Sequence, residues 1–299
     1  IEVLTPFNLN STQHWMRYLK EKYDFDPPLV RRKGKDEPTA CLDDEVLASI
    51  EDKYPEIKDL LLWKTATKIK RMIYEGDTSV YKLLDKNDVI HGRLYVDGTV
   101  SGRCAHSNPN LSTMPSVRTD DNGPIKGIKG KYAVEVRSLF ISRPGFKQVG
   151  FDAKGLEYMC LAHYINDKHF SVDVIENGDI HTWTQKTLGF ETRRQAKTFE
   201  YAYLYGAGKK KLAEGLSAGT GKKYTVDDVN MAIKKFTNAL PGLDALQNNL
   251  RDQLRSKGTI TGLDKRELHA RSEHSLLNLL LQSSGAVVMK QCLVYLIDE

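Results

Sequence analysis

The chain has 299 residues, 40% of them hydrophobic, ample to bury one large core or two ordinary ones. Its net charge of +5 and pI near 8.8 suit a polyanionic partner, since each neutralised phosphate releases counterions, though a lysine-rich soluble surface has the same balance. No two of Cys41, Cys104, Cys160 and Cys292 are close enough for a CxxC pair, so the spacing excludes a zinc or disulfide framework and makes a reducing compartment the default.

The opening residues, Ile1-Glu2-Val3-Leu4, lack the charged pattern of a signal peptide. Residues 1–75 read as mostly helical. Ser11 and Thr12 are candidate caps for a helix reaching about Lys20, and Pro27-Pro28 break the chain. Arg31-Arg32-Lys33-Gly34-Lys35 reads as a solvated loop, and from Leu42 to Met72 charged and apolar residues alternate at helical spacing. Between His91 and Arg118, Gly92, Gly98, Gly102, Pro109 and Pro115 punctuate short extended pieces. Val134–Ile141 and Phe146–Phe151 predict strands. After Asp152 the pattern is helical to about Ser256, interrupted at Pro241-Gly242. A short β segment follows at Thr259–His269, then a long helix from about Ser275. That helix holds the most apolar stretch, Leu276 to Ile297. Asn278, Gln282, Lys290 and Gln291 within it would be costly in lipid, so it reads as a buried or interfacial helix and not a membrane span. The fold class is helix-rich α+β.

Three constellations carry chemistry. In Gly150-Phe151-Asp152-Ala153-Lys154-Gly155-Leu156-Glu157, Asp152 sits where extended chain gives way to helix. A carboxylate there fits a magnesium ligand, because magnesium takes one or two carboxylates plus substrate phosphates; it also fits a plain helix cap. In Arg193 to Gly206, Arg193, Lys197, Tyr201 and Tyr205 recur every four residues and so line one helix face. At 1.5 Å per residue the stripe spans about 18 Å, cationic at one end and aromatic at the other. That matches a nucleoside triphosphate, with phosphates beside the cations and the base on the tyrosines; a basic turn before an aromatic core stripe has the same pattern. Asn278 and Gln282, again four apart, can donate to the minor-groove acceptors that both base-pair orientations share, or can simply line a wet helix face. Arg103 in Ser101-Gly102-Arg103 sits in a glycine turn from which it could reach a phosphate or a groove, and His181 in Gly178-Asp179-Ile180-His181 stands near a predicted helix start, where a lone histidine is more often structural than functional. Gly206-Ala207-Gly208 before Lys209-Lys210-Lys211 lacks the strand a phosphate loop needs and reads as a helix stop with a basic turn.

Taken together, these segments resemble family A DNA polymerases, most closely those of podovirus-type phages. Phe151–Glu157 resembles the family's motif A and Arg193–Gly206 its motif B. His91-Gly92, Ser101-Gly102-Arg103, Asn108–Leu111 and Met114-Pro115 resemble the palm segment ahead of motif A, and Gly178–Thr182 and Leu280–Ala286 match further signatures in family order. The resemblance implies a right-hand architecture, with helical fingers inserted in an antiparallel β palm and a partial helical thumb. The implied domains are residues 1–85 for the partial thumb and its base, 86–153 for the first part of the palm, 154–268 for the fingers and 269–299 for the return to the palm. It implies that Asp152 and the Ala153 carbonyl hold two Mg2+ ions and that Arg193, Lys197 and His181 grip the triphosphate of a dNTP. Tyr201 would pack by the sugar, Glu157 beneath it would bar a ribose 2′ hydroxyl, and Tyr205 would sit by the templating base. Arg103, Asn278, Gln282 and, more remotely, Arg137 would contact primer–template DNA. Lys154 and Ala202 depart from the family's usual small residue and glycine at those positions.

The family also places a His-Asp-Glu motif a few dozen residues past the position of Gln282. Asp298-Glu299 come too soon for it, and the expectation is that no exonuclease domain precedes residue 1. The expectation is therefore an incomplete polymerase domain that catalyses template-directed addition of dNTPs, or one that binds primer–template and dNTP and needs a separate C-terminal fragment for activity. A single-subunit RNA polymerase shares a similar Arg…Lys…Tyr-Gly helix, but Glu157 and Tyr201 fit rejection of ribose. A viral source, and so action in a bacterial host's cytoplasm, rests on the resemblance.

Overall fold

A computed structural model describes residues 6–30, 37–168, 170–171, 179–217 and 222–298. The basic loop predicted at 31–35 and Gly178 fall outside them. The chain divides into two compact units, one formed by Ile1–Arg93 with His106–Gln148, the other by Leu94–Ala105 with Val149–Glu299.

In the first unit, Ser11 caps helix α1 (Thr12–Tyr23) by accepting the His14 N–H. Trp15 and Leu19, four apart, put its apolar face onto α2 (Asp44–Ile50) and α3 (Pro55–Lys70). Asp43 caps α2, and Pro55 stands at the first position of α3, where its missing N–H costs no helical bond. Leu42, Leu47, Ile50, Ile57 and Leu60 complete this core. Val134–Ile141 is a correction: it forms helix α4 (Ala133–Ser138), not a strand. Lys131 and Tyr132 turn the chain through positive φ just before it, and the Glu135 carboxylate accepts the Gly127 N–H at 2.7 Å, closing that loop onto the first turn. Ala133 and Val136 then bury one face at a spacing of three. Valines favour a strand only where a partner supplies ladder bonds.

The second unit is helical. Gly155 (φ +63°) opens α5 (Leu156–Ile165), Asp179 caps α6 (Ile180–Leu188), and a Thr192–Gln195 capping box opens α7 (Arg193–Leu204). Then come α8 (Lys209–Ser217), α9 (Val226–Ala239, with a Thr225–Asp228 capping box), α10 (Pro241–Lys257) and α11 (Leu276–Asp298). The predicted interruption at Pro241 is the start of α10, and the lysines 209–211 begin a helix instead of forming a turn. A two-stranded hairpin pairs Ile260–Thr261 with Glu267–Leu268, within the predicted β segment. Phe146–Phe151, predicted as a strand, has no ladder partner among the described residues, and Phe146, Val149 and Phe151 lie exposed.

Phe199 and Phe236 centre the core of this unit, with Leu161, Leu212, Leu216, Leu243 and Leu280 around them. Each such side chain contributes roughly 1.5–3 kcal/mol by leaving water. Helix α11 is long and apolar enough to cross a membrane by length and composition alone. Its first half is instead packed into this core through Leu276, Leu277, Leu279, Leu280 and Leu281. Gly285 lets it approach α5 closely, since a Cβ there would stand 3.1 Å from Leu156 Cδ2, and Ser284 Oγ bonds Tyr164 OH at 2.9 Å. That crossing shapes the candidate site.

Candidate active site

A cavity of about 460 Å³ opens where α5, α7 and α11 meet. Six predicted site residues line it: Arg103, Asp152, Ala153, Glu157, Tyr201 and Gln282. Asp152 stands three residues before the Gly155 cap of α5, so it does not cap that helix. Its carboxylate is exposed, and Glu157 in the first turn is half-buried. Asp152, Ala153 and Glu157 thus all line the cavity and bring oxygen donors to its surroundings. Such hard donors suit magnesium supported by substrate phosphates, whereas no group of three or more His, Cys, Asp or Glu able to hold a metal ion by itself exists among the described residues.

Helix α7 turns its apolar face, with Ala196, Phe199 and Leu204, into the core. Lys197, Tyr201 and Tyr205 follow one another along another face. Lys197 Nζ lies 5.8 Å from the centre of the Tyr201 ring, and Tyr201 stacks on Tyr205 with ring centres 6.0 Å apart. Tyr205 OH reaches Glu157 Oε1 at 3.5 Å, a weak contact. Burial raises the Tyr201 phenol above its ordinary pKa, and the charges of Glu157, Glu200 and Asp152 add to this. Both tyrosines are therefore neutral hydroxyls at neutral pH. Helix α7 ends at the predicted Tyr-Gly: Gly206 has φ +68°, and a Cβ on it would meet the His274 carbonyl oxygen at 2.5 Å.

At the other end of the stripe, Arg193 is paired through Nε with Asp179, whose carboxylate also accepts the His181 N–H at 3.2 Å and the Thr182 hydroxyl at 3.1 Å. The Arg193 guanidinium is the main reason the Asp179 carboxyl is held down at about 2. One residue thereby caps α6 and fixes the first turn of α7 beside it. His181 is buried, 6.0 Å from Tyr201 between ring centres.

Arg103 leaves a tight turn at Gly102 (φ +76°). The Arg266 guanidinium lies on that glycine, and its Nη2 donates to the buried Ser283 hydroxyl at 3.3 Å. Neither Arg266 nor Lys290, which lines the cavity and donates to the Val96 carbonyl at 2.5 Å, is among the site residues expected from sequence. Lys290 had a legible signal: it continues the four-residue spacing of Asn278 and Gln282 through Ala286. Asn278 is on α11 one turn before Gln282 but does not line the cavity. Arg137 belongs to the first unit, where its Nε donates to the Pro115 carbonyl at 2.8 Å.

The family model for DNA polymerase family A matches residues 1–299. The DNA-directed DNA polymerases of Enterobacteria phage T3 and Escherichia phage T7 are each 32% identical over 305 residues, covering 95% of this chain and 41% of theirs. The thermostable DNA polymerase I of Thermus aquaticus is 26% identical and covers 97% of this chain and 35% of its own. This chain thus spans about two-fifths of the length of the phage relatives. Among solved structures, the POL domain of Pol1 from M. smegmatis, in complex with DNA primer-template and dNTP, has a similar fold. Its TM-score is 0.71 at 20% identity, over 95% of this chain and 49% of that one.

Proposed function

The chain belongs to DNA polymerase family A, and from that membership we propose that it serves template-directed DNA synthesis, adding nucleotides from dNTPs to a primer 3′ end. The observation that carries the reading is the cavity itself, where Asp152, Ala153, Glu157 and Tyr201 meet Arg103 and Gln282, with the cationic-to-aromatic face of α7 leading away from it. In this reading the triphosphate lies along Arg193, Lys197 and His181, whose charge offsets what builds on the phosphate oxygens. Tyr201 supports the sugar, Glu157 leaves no room for a ribose 2′ hydroxyl, and Tyr205 stands at the templating base. Arg103, Gln282 and Asn278 follow the minor groove of the primer–template, and Arg137 the DNA backbone. Residues 154–268 act as fingers, residues 86–153 and 269–299 as palm, and residues 1–85 as part of a thumb.

Asp152 and the Ala153 carbonyl would hold Mg2+, two ions in the full reaction, which when bound would supply the positive charge that activates a primer hydroxyl and stabilises a departing pyrophosphate. One exposed carboxylate and a half-buried one neutralise two divalent ions poorly. That favours a second reading, in which this chain binds primer–template and dNTP while a separate fragment supplies further carboxylates. The phage relatives support placing either activity in the cytoplasm of a bacterial host.

Primer extension on a short primed template, with magnesium and all four dNTPs, tests both. Extension that Asp152→Asn abolishes supports the first reading. Folded chain that binds primer–template and dNTP without extending supports the second. Extension undiminished in Asp152→Asn removes this carboxylate from the metal site.

A further inference from the structure

Glu200 is an anomaly within α7. It is fully buried, beside Phe199 on the inner side of the helix, where an uncompensated carboxylate is costly. Its Oε2 receives two groups, the His181 ring through Nδ1 and the Tyr158 hydroxyl at 3.0 Å. Its Oε1 is buried and has no hydrogen-bond partner among the described residues. Burial, and secondly the charge of Glu200, push the Tyr158 phenol well above its ordinary pKa, so that hydroxyl stays a donor. The two rings meet edge to face with centres 6.2 Å apart. His181 is therefore fixed from three sides, by Glu200 at Nδ1, by Tyr158 at its edge and by Asp179 at its backbone N–H. Its Nε2 forms no hydrogen bond among the described residues.

We infer that Glu200, braced by Tyr158, is a positioning residue for nucleotide binding: it holds His181 by Nδ1 so that Nε2 alone is presented to the triphosphate. The inference rests on the nucleotide reading above. The chemistry follows from the two ring nitrogens. With Nδ1–H given to Glu200, Nε2 can donate to a phosphate oxygen only when the ring carries both protons. A ring so held stands between two acceptors, the phosphate outside and Glu200 inside. The Glu200 carboxyl fixes its direction, much as a carboxylate orients a metal-bound histidine. Arg193 and Lys197 lie on the same helix and add their charge to the same ligand. The Tyr201 ring stands tilted beside it, with centres 6.0 Å apart.

The test is equilibrium binding of dATP with magnesium to the full chain, by isothermal titration calorimetry. The proteins are wild type, Glu200→Gln, His181→Ala, the double variant and Lys197→Ala. Glu200→Gln keeps the shape of the side chain and removes its charge; about 10-fold weaker binding is expected, in the range of one lost charge-assisted hydrogen bond. His181→Ala should weaken binding to a similar extent. Because Glu200 acts through His181, the double variant should bind no more weakly than His181→Ala, whereas a merely structural role would give additive losses. Unchanged binding in Glu200→Gln, or additive losses, overturns the inference. If Glu200→Gln does not fold, Tyr158→Phe, with an expected loss of about 3-fold that again vanishes without His181, decides it in the same way. Wild type that binds no dATP, or Lys197→Ala that binds it as well as wild type, instead refutes the nucleotide reading and the inference with it.

Discussion

Replacing Gly102 by alanine probes how the turn that presents Arg103 is held. Gly102 has φ +76°, a region that costs an L residue about 1–2 kcal/mol. A Cβ there would come within 2.5 Å of Arg266 Nη1 and 2.7 Å of Nη2. The guanidinium is the far end of a flexible side chain and can swing aside, so the steric cost is what it gives up by moving. One loss is the 3.3 Å bond to the buried Ser283 hydroxyl, worth about 1 kcal/mol at that length. The other is the pair with Asp264 (Nε to Oδ2 3.0 Å), which is about a third exposed on both sides and worth less than about 1 kcal/mol. Gly102→Ala should therefore cost about 2–4 kcal/mol. Urea unfolding read through hydrogen exchange of α11 amides assigns the loss to this unit. In an Arg266→Ala background the obstruction is gone, and the same change should cost only the conformational 1–2 kcal/mol. A Gly102→Ala chain as stable as wild type, or one whose cost is the same in both backgrounds, would show that Arg266 does not brace this turn.

Three further expectations follow from the geometry. Tyr201→Phe should raise discrimination against dideoxynucleotides in competition with dNTPs; equal use of both by wild type and variant would defeat the sugar contact. The Asp179 carboxyl is depressed from 3.8 to about 2, chiefly by Arg193, so the pair stabilises the fold above about pH 4 and loses that effect as pH falls toward 2. Because the pair is roughly a third to a half exposed, the shift is discounted to about 1 kcal/mol, and Asp179→Asn should lower stability by that much at pH 6 and by a small fraction of it near pH 2 in urea titrations. Burial pushes the Cys160 thiol up to about 11, so iodoacetamide at pH 8 should label it only on unfolding; native-state labelling at the rate of a small free thiol would contradict that burial.

The four-residue spacing of Arg193, Lys197, Tyr201 and Tyr205 was enough to place those residues on one helix face, because helix geometry converts spacing into direction without help from the rest of the fold. The same holds for Asn278 and Gln282. Although the local markers that divide it, Thr192, Thr225 and Gly258, were not singled out, the helical character of the second unit was legible as one pattern running to about Ser256. Strands were not. Val134–Ile141 and Phe146–Phe151 have β-forming composition, but a strand exists only when another segment supplies its ladder bonds, and nothing within the segment records that. The helix-cap alternative for Asp152 was also undecidable from composition, because a glycine with positive φ, Gly155, opens α5 instead.

The residues that sequence reasoning missed share a physical trait: each acts through a partner remote in sequence. Glu200 is on the very helix that spacing identified, yet its meaning depends on His181 and Tyr158, 19 and 42 residues away, and on complete burial that a charged residue does not advertise. Arg266 matters only because Gly102 lacks a side chain and Ser283 on α11 accepts its hydrogen bond. Local periodicity can therefore nominate groups that touch a ligand, since a ligand meets an exposed stripe. It cannot nominate groups that hold those ligand-touching residues in place, since they point inward and are chosen by their neighbours. If Glu200 and Arg266 set the direction of His181 and Arg103, substitution at either should change how tightly a ligand binds without changing which chemistry the site can perform.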